Sequence, residues 1–400
     1  MKEIQGGITS VQGIKSSGIH CGIKDMGKDL ALITSETIAE AAGVFTTNRV
    51  RSASVRLCSE NLKKGKGCNG IIINSGNANA CTKDGYMNAQ EMVKLAAAYL
   101  DIPFESILIA STGVIGLPLP MERLRNGIPE LIRNLSTSGG MDAAEAILTT
   151  DKEPKLSAVE YETDGKAIRI GGIAKGSGMI YPRMATMLSF LVTDVSIDKD
   201  ILQYALEESV KRSFNMITVD GDTSTNDTVL CLANGLAGNK RITDMDDNMV
   251  RFMEGLDYVT QDLAKKIVQD GEGATKFIEV CVKGAMTSGD AEKIAFSIAN
   301  SNLVKTAFFG ESPNWGRIMS AAGVSGVEFD VEKIDIYFNE EKVVKGGVGI
   351  GRNNEEGIKK TLKQRDITIT IDLCMGGKRT SVWTSDLSYD YIRINADYKT

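Results

Sequence analysis

The sequence predicts a mixed fold of class α/β or α+β, with strands and helices interleaved along the chain. Three stretches carry that prediction. Met92, Leu95, Ala96, Tyr99 and Leu100 recur at helical spacing and form one apolar stripe. KIDIYF and ITITIDL alternate strictly, as half-buried strands do, and the second sets Ile367, Ile369, Ile371 and Leu373 on one face. VEYETDGKAIRI places Asp164-Gly165 between two alternating runs, the signal of a tight hairpin. In chain order, the stripe makes a helix around residues 92–100. SILIA, Ser106 to Ala110, is a short apolar run that makes a strand and leads into the loop STGVIG. The hairpin around 164–165 follows. Asp200 to Val210 reads as a helix with Asp198 or Asp200 as its N-cap, and the two alternating strands come last. Alternation of this kind places the chain among the mixed classes. No repeat of 20–50 residues, no low-complexity segment and no Pro/Ser-rich linker marks a domain boundary.

At 400 residues the chain has room for about two or three domains of ordinary size. Its hydrophobic fraction of 42% and charged fraction of 24% are those of a folded protein. A net charge of -6 argues against a nucleic-acid binder, which would show a basic field. The opening MKEIQGGITS has no apolar signal-peptide core, and no apolar run reaches the roughly 18 residues that span a bilayer. A cytoplasmic protein is expected. Seven cysteines, an odd number without any C-x-x-C, point to reduced thiols and not to a disulfide framework or zinc knuckle. The chain holds one histidine, His20, so neither a Ser-His-Asp triad nor a multi-histidine metal site has much to draw on. His20 itself reads as a structural or surface residue.

The glycine-rich segments do not make phosphate cradles. GGVGIG (Gly346 to Gly351) lacks the dinucleotide spacing, and GEGATK (Gly271 to Lys276) lacks the four-residue gap of a Walker A loop. Asp220, Asp222 and Asp227 in VDGDTSTNDTVL lack the calcium-loop spacing and read as a polar turn at a site. The remaining candidate is KGSGMIYPRMATML, Lys175 to Leu188. An Ala-Thr pair entering an apolar run is ordinarily just strand. The chemical alternative is that the Ala185–Thr186 bond breaks. Thr186 then carries a free α-amine, of reference pKa about 7.7–8.0, beside its own hydroxyl, and so holds its own base. The Thr186 hydroxyl would attack the Ala185 carbonyl, and water would hydrolyse the resulting ester. Gly172, Gly176 and Gly178 let backbone approach closely there, and Pro182 stiffens it.

Several separated blocks decide between these readings: GVFTTNRVR (Gly43 to Arg51), NSGNANACT (Asn74 to Thr82), STGVIG (Ser111 to Gly116), NMITVDGDTSTNDT (Asn215 to Thr228), GEGATK, PNWGRI (Pro313 to Ile318) and the closing NADYKT (Asn395 to Thr400). In this order, nearly end to end, they resemble the ornithine acetyltransferase family, also called glutamate N-acetyltransferase, of arginine biosynthesis. The resemblance implies an α/β fold shared with certain self-cleaving aminopeptidases. It implies cleavage before Thr186 into an α chain, residues 1–185, and a β chain, residues 186–400, which are processing products and not folding domains. It implies association of two αβ pairs. The reaction it implies is ping-pong: Thr186 takes the acetyl group of N-acetylornithine, ornithine leaves, and glutamate receives the acetyl group. No resident cofactor or metal is implied. The family includes members that also use acetyl-CoA as donor, and no CoA motif separates the two kinds.

The resemblance assigns roles residue by residue. Thr112 and Gly113 match the oxyanion-hole pair, a hydroxyl and a backbone N–H. Lys175 matches a substrate-binding lysine suited to a carboxylate. Glu272 matches a substrate-contacting glutamate, and Asn395 and Thr400 match a C-terminal pair that contacts substrate, so the chain end is expected to be ordered. One position departs. The family commonly reads Thr-Thr-Asp-Thr where this chain has Thr149, Thr150, Asp151, Lys152. Either Lys152 meets a carboxylate there or a neighbouring threonine does the work. Two other classes stand beside this one: a self-cleaving aminopeptidase of the same fold, which would release the acyl group to water, and a non-enzymatic amino-acid-binding module.

Overall fold

A computed structural model describes residues 1–181, 187–351 and 355–397. In chain order the first half runs β1 (Lys2–Glu3), β2 (Ile14–Ile19), β3 (Leu30–Phe45), α1 (Ala53–Lys64), β4 (Cys68–Asn74), α2 (Gly85–Leu100), β5 (Ile107–Ser111), α3 (Met121–Arg133), α4 (Gly140–Ala146), β6 (Lys155–Thr163) and β7 (Lys166–Lys175). The second half runs β8 (Leu188–Thr193), α5 (Lys199–Lys211), β9 (Ile217–Thr218), β10 (Thr228–Ala233), α6 (Asp247–Gln269), β11 (Phe277–Ala285), α7 (Ser288–Ala299), α8 (Asn302–Phe309), α9 (Trp315–Gly323), β12 (Asp335–Phe338), β13 (Glu341–Lys345), β14 (Val348–Gly349), α10 (Glu355–Leu362), β15 (Asp366–Asp372), β16 (Lys378–Ser385) and α11 (Tyr389–Asp397). The chain is a mixed α/β protein of two compact units. One comprises Met1–Asn215 and Asp222–Ile267, the other Met216–Gly221 and Val268–Lys399.

The first unit is built on a nine-stranded sheet in the order β1-β6-β7-β8-β10-β3-β4-β5, with β2 also paired to β3. Its middle strands read as near-continuous apolar runs because both faces are covered: all six residues of β8 and of β10 are buried. Ile71, Ile72 and Ile73 of β4 are fully buried as well, each contributing about 1.5–3 kcal/mol. Local signals set the ends. The Ser52 side chain caps α1 by accepting from Val55 N–H, and Gly65 closes that helix at φ 67°. Asp198 caps α5 by accepting from Asp200 N–H. Asp164 and Gly165, at φ 51° and 68°, make the two-residue turn between β6 and β7 that the sequence predicts.

The second unit holds a seven-stranded sheet, β14-β13-β12-β15-β11-β16-β9. The ITITIDL alternation is realised in β15, where Ile367, Ile369 and Ile371 are buried, and Leu373 is buried just after it. In α2 the predicted stripe holds at Met92 and Ala96, whereas Tyr99, near the helix end, is 56% exposed. Among the described residues no helix is long and apolar enough to cross a membrane.

Candidate active site

Parallel strands β4 and β5 end side by side, with Asn74 opposite Ser111, so the loops that follow them lie together. Thr112 is 2% exposed and its N–H donates to Asn74 O at 3.0 Å. Ser111 Oγ donates to Asn74 Oδ1 at 2.7 Å and shares a 2.6 Å hydrogen bond with Ser54 Oγ. Asn226 Nδ2 donates to Ser111 O and to Ala78 O, both at 2.7 Å. Gly113 sits at φ 129°, and a Cβ there would come within 2.3 Å of the Gly76 carbonyl carbon. Backbone contact on that side leaves no room for any side chain. The predicted hydroxyl and N–H pair therefore lies on a rigidly held turn, as preorganised donors require.

The second predicted group, Lys175, ends β7. It is 2% exposed, a buried lysine at a strand end. Its Nζ donates to Thr149 Oγ1 at 2.7 Å and to Thr112 Oγ1 at 3.5 Å, and lies 3.7 Å from Asp151 Oδ2. Asp151 also accepts from Lys155 Nζ at 2.7 Å and from Gly176 N–H at 2.6 Å. Burial pushes the Asp151 carboxyl up, but Lys175, Lys155 and the Gly176 N–H outweigh it and pull the group down to about 2. One buried carboxylate thus faces two buried ammonium groups. Lys24 lies close by, and burial, opposed by Asp29 and reinforced by Lys175, lowers its pKa.

The departure at 149–152 also gains a structure. Thr149 meets Lys175, Thr150 Oγ1 shares a 2.7 Å hydrogen bond with Ser177 Oγ, and Lys152 is exposed. Here Thr149 joins the cluster. Asp151, Lys155 and Lys24 are members that sequence reasoning missed. The register of the β6–β7 hairpin brings Lys155 opposite Ala174, so a chain separation of 20 residues conceals the contact.

Strand register also relates the cluster to the predicted nucleophile. β7 pairs with β8 so that Lys175 lies opposite Leu188, and β8 pairs with β10 so that Leu188 lies opposite Thr228. Ala185, Thr186 and Thr400 lie outside the described residues. In the second unit Glu272, 8% exposed, accepts from Asn395 Nδ2 at 2.8 Å. The GEGATK turn is fastened there: Ser388 Oγ donates to Gly273 O at 2.6 Å, and Asp386 accepts from the N–H groups of Thr275 and Lys276. Thr112 and Lys175 are thus together in one unit, and Glu272 and Asn395 in the other. His20 is exposed, its ring bonded to Gly27 O at 2.6 Å. All seven cysteines are free thiols. Among the described residues no cluster of His, Cys, Asp or Glu could hold a metal ion.

Comparison with known proteins gives this geometry its context. A family model described as the ArgJ family matches residues 15–400. The chain belongs to the ArgJ family. The "Arginine biosynthesis bifunctional protein ArgJ" of Caldanaerobacter subterraneus subsp. tengcongensis is 49% identical to this ArgJ-family chain, with all of both chains covered. The "Glutamate N-acetyltransferase" of Methanocaldococcus jannaschii is 46% identical, again over all of both. A solved chain of the arginine biosynthesis bifunctional protein argJ from Bacillus halodurans is 45% identical with a TM-score of 0.52. All of that chain is covered, by 53% of this one.

Proposed function

We propose that this chain is an acetyltransferase of arginine biosynthesis that moves the acetyl group of N-acetylornithine to glutamate through an ester on Thr186, yielding ornithine and N-acetylglutamate. The observation that carries the reading is the buried Lys175 ammonium beside the Thr112 hydroxyl, on the strand that pairs with the one beginning just after Thr186. Thr186 attacks the acetyl carbonyl, its own α-amine taking the hydroxyl proton. Thr112 and the Gly113 N–H meet the oxyanion, and loss of one such donor lowers the rate about 100–1000-fold. The buried Lys175 ammonium is suited to the α-carboxylate that ornithine and glutamate share. The family resemblance also assigns substrate contacts to Glu272, Asn395 and Thr400, and Thr149 takes the place of the family threonine at position 152.

A free Thr186 amine requires cleavage after Ala185, giving an α chain of residues 1–185 and a β chain of residues 186–400 that assemble as α2β2 in the cytoplasm. The solved Bacillus halodurans chain supports this, since it is matched whole by about half of the present one, the length a cleaved fragment would have. The chemistry calls for no resident cofactor, and acetyl-CoA would enter as a second acetyl donor. The test is an assay with glutamate and each donor alone, alongside N-terminal sequencing. N-acetylornithine should support N-acetylglutamate formation, and the larger fragment should begin at Thr186. Thr186→Ala should remain one chain and be inactive. Any other N-terminus, or faster hydrolysis of amino-acid amides than acetyl transfer, overturns the proposal.

A further inference from the structure

The segment NMITVDGDTSTNDT has no part in the reaction just described, yet its residues Ser224 to Thr228 are all buried. Neighbouring backbone fastens them. Thr46 N–H donates to Asp227 O at 3.0 Å, Ser52 N–H to Thr225 O at 3.0 Å, and Thr46 Oγ1 to Ser224 O at 2.7 Å. Asn226 projects from this fixed base and is 3% exposed. Its Nδ2 donates to the carbonyls of Ser111 and Ala78, both at 2.7 Å, from 115 and 148 residues away in the chain. Its Oδ1 accepts from Thr225 Oγ1 at 2.6 Å, its N–H donates to Ser224 Oγ at 3.1 Å, and its O accepts from Thr228 Oγ1 at 2.9 Å. Two carbonyls on one side and a hydroxyl on the other fix the orientation of the amide. An aspartate of the same shape would turn an oxygen toward both carbonyls.

The two carbonyls belong to the two loops that build the turn of Thr112 and Gly113. Ser111 O and Thr112 N–H are opposite ends of one peptide group. Asn226 holds the oxygen, and the N–H donates to Asn74 O at 3.0 Å, so that peptide plane is fixed from both sides. The Thr112 side chain and the peptide bearing the Gly113 N–H both start from it. Ala78 secures the far side of Gly113, because its N–H donates to Val114 O at 2.9 Å while Val114 N–H donates to Gly76 O at 3.4 Å. The Ala78 loop is a costly one to hold, with Asn79 at φ 49° and Cys81 at φ 58°. Oxyanion donors act through being aimed before the charge develops, and a misplacement of about 1 Å can cost about 100-fold. We propose that Asn226 is a positioning residue for acetyl transfer, its amide locking the two loops that aim the Thr112 hydroxyl and the Gly113 N–H. The proposal rests on the reading of Thr112 and Gly113 as the oxyanion donors.

The test is the steady-state rate of transfer from N-acetylornithine to glutamate, with Asn239 as the control. Asn239 makes the same kind of bracket elsewhere in the first unit: its Nδ2 donates to Ser196 O and Lys240 O at 3.2 and 2.8 Å, and its Oδ1 accepts from Ser196 N–H at 2.8 Å. Asn226→Ala should lower kcat about 100-fold and leave KM for both substrates within threefold. Asn239→Ala should leave kcat within threefold. Added to Thr112→Ala, Asn226→Ala should cost at least tenfold less than it does alone, because both changes act on one turn. A folded Asn226→Ala enzyme slowed less than tenfold overturns the proposal. So does an equal loss of kcat in Asn239→Ala, a loss confined to KM, or full multiplication with Thr112→Ala. If Asn226→Ala does not fold, Asn226→Ser takes its place under the same criteria. Failure of both to fold, where Asn239→Ala folds, makes Asn226 a folding residue and also overturns the proposal. Failure of the oxyanion reading is seen separately, as wild-type kcat in Thr112→Ala alone.

Discussion

Replacing Asp151 by Asn tests the electrostatics of the cluster. Asp151 is a fully buried carboxylate beside Lys155 and Lys175, whose side chains are 3% and 2% exposed. Asn keeps the shape and one acceptor oxygen but removes the carboxylate charge that faces two buried ammonium groups. Removing one partner of such a buried set costs about 3–5 kcal/mol. The pKa gives a second route to the magnitude. The carboxyl is held at about 2, against about 3.9 for a free aspartate, a difference worth roughly 2–3 kcal/mol. An acid whose pKa is depressed by folding stabilises above its unfolded value and loses that contribution as pH falls through the folded one. The wild type should therefore hold nearly all of this advantage at pH 4, about half at pH 3 and little at pH 2. Urea unfolding followed by far-UV circular dichroism measures it, with both proteins carrying Thr186→Ala so that neither is cleaved. Tryptophan fluorescence would miss the effect, since Trp315 and Trp383 both lie in the second unit. A deficit under about 1 kcal/mol at pH 7, or one that has vanished at pH 4, refutes the reasoning.

Three further outcomes follow from the same geometry. Lys175→Ala should weaken N-acetylornithine and glutamate alike, by about 10- to 150-fold, since a charge-assisted contact of about 1.5–3 kcal/mol is lost to the end they share; Michaelis constants for both substrates check it, and a one-sided effect contradicts it. Thr112→Ala should slow acetyl transfer about 100-fold or more while the melting temperature stays within a few degrees; unchanged transfer by a folded variant removes Thr112 from the mechanism. In a Thr186→Ala background, Asp227→Asn should gain thermal stability relative to its parent as pH rises from 4 to 8. A carboxyl whose pKa is raised by folding stabilises below its unfolded value and loses that contribution as pH climbs, whereas asparagine does not titrate. Melting curves at pH 4, 6 and 8 measure the trend, and a parallel offset contradicts it.

Local structure was legible where chemistry within a few residues decides it. Asp164-Gly165 has the two residue types that adopt positive φ at low cost, and Asp198 has a side chain that can reach the next free N–H. Tyr99 shows the limit of a periodic pattern, because its polar tip tolerates exposure at the end of a helix. The site was legible as a set of residues matched to a family and illegible as an arrangement. Thr112 and Lys175 are 63 residues apart and lie at the ends of strands that are not neighbours in the sheet, so their contact comes from tertiary packing that local spacing does not encode. Asp227 was visible as part of a polar turn, yet its hold on the Met187 N–H depends on how β10 lies beside β8, which sequence spacing does not encode.

The place of β8 in the first sheet has a consequence for the order of events in the life of this protein. β8 is an interior strand, with six residue pairs to β7 on one side and six to β10 on the other. A break in the chain just before it opens no sheet edge and releases no arm. Its pairing with β7 joins residues on opposite sides of the break, and so does the pairing of β10 with β3. After the proposed break, covalent continuity at that point would be redundant, and the ladder alone would keep the pieces in register. On that reading maturation has one workable sequence, in which the sheet zips up first and the peptide bond is cut inside the finished product. Two separately made pieces would face a bimolecular search for a register that the uncut chain finds within one molecule.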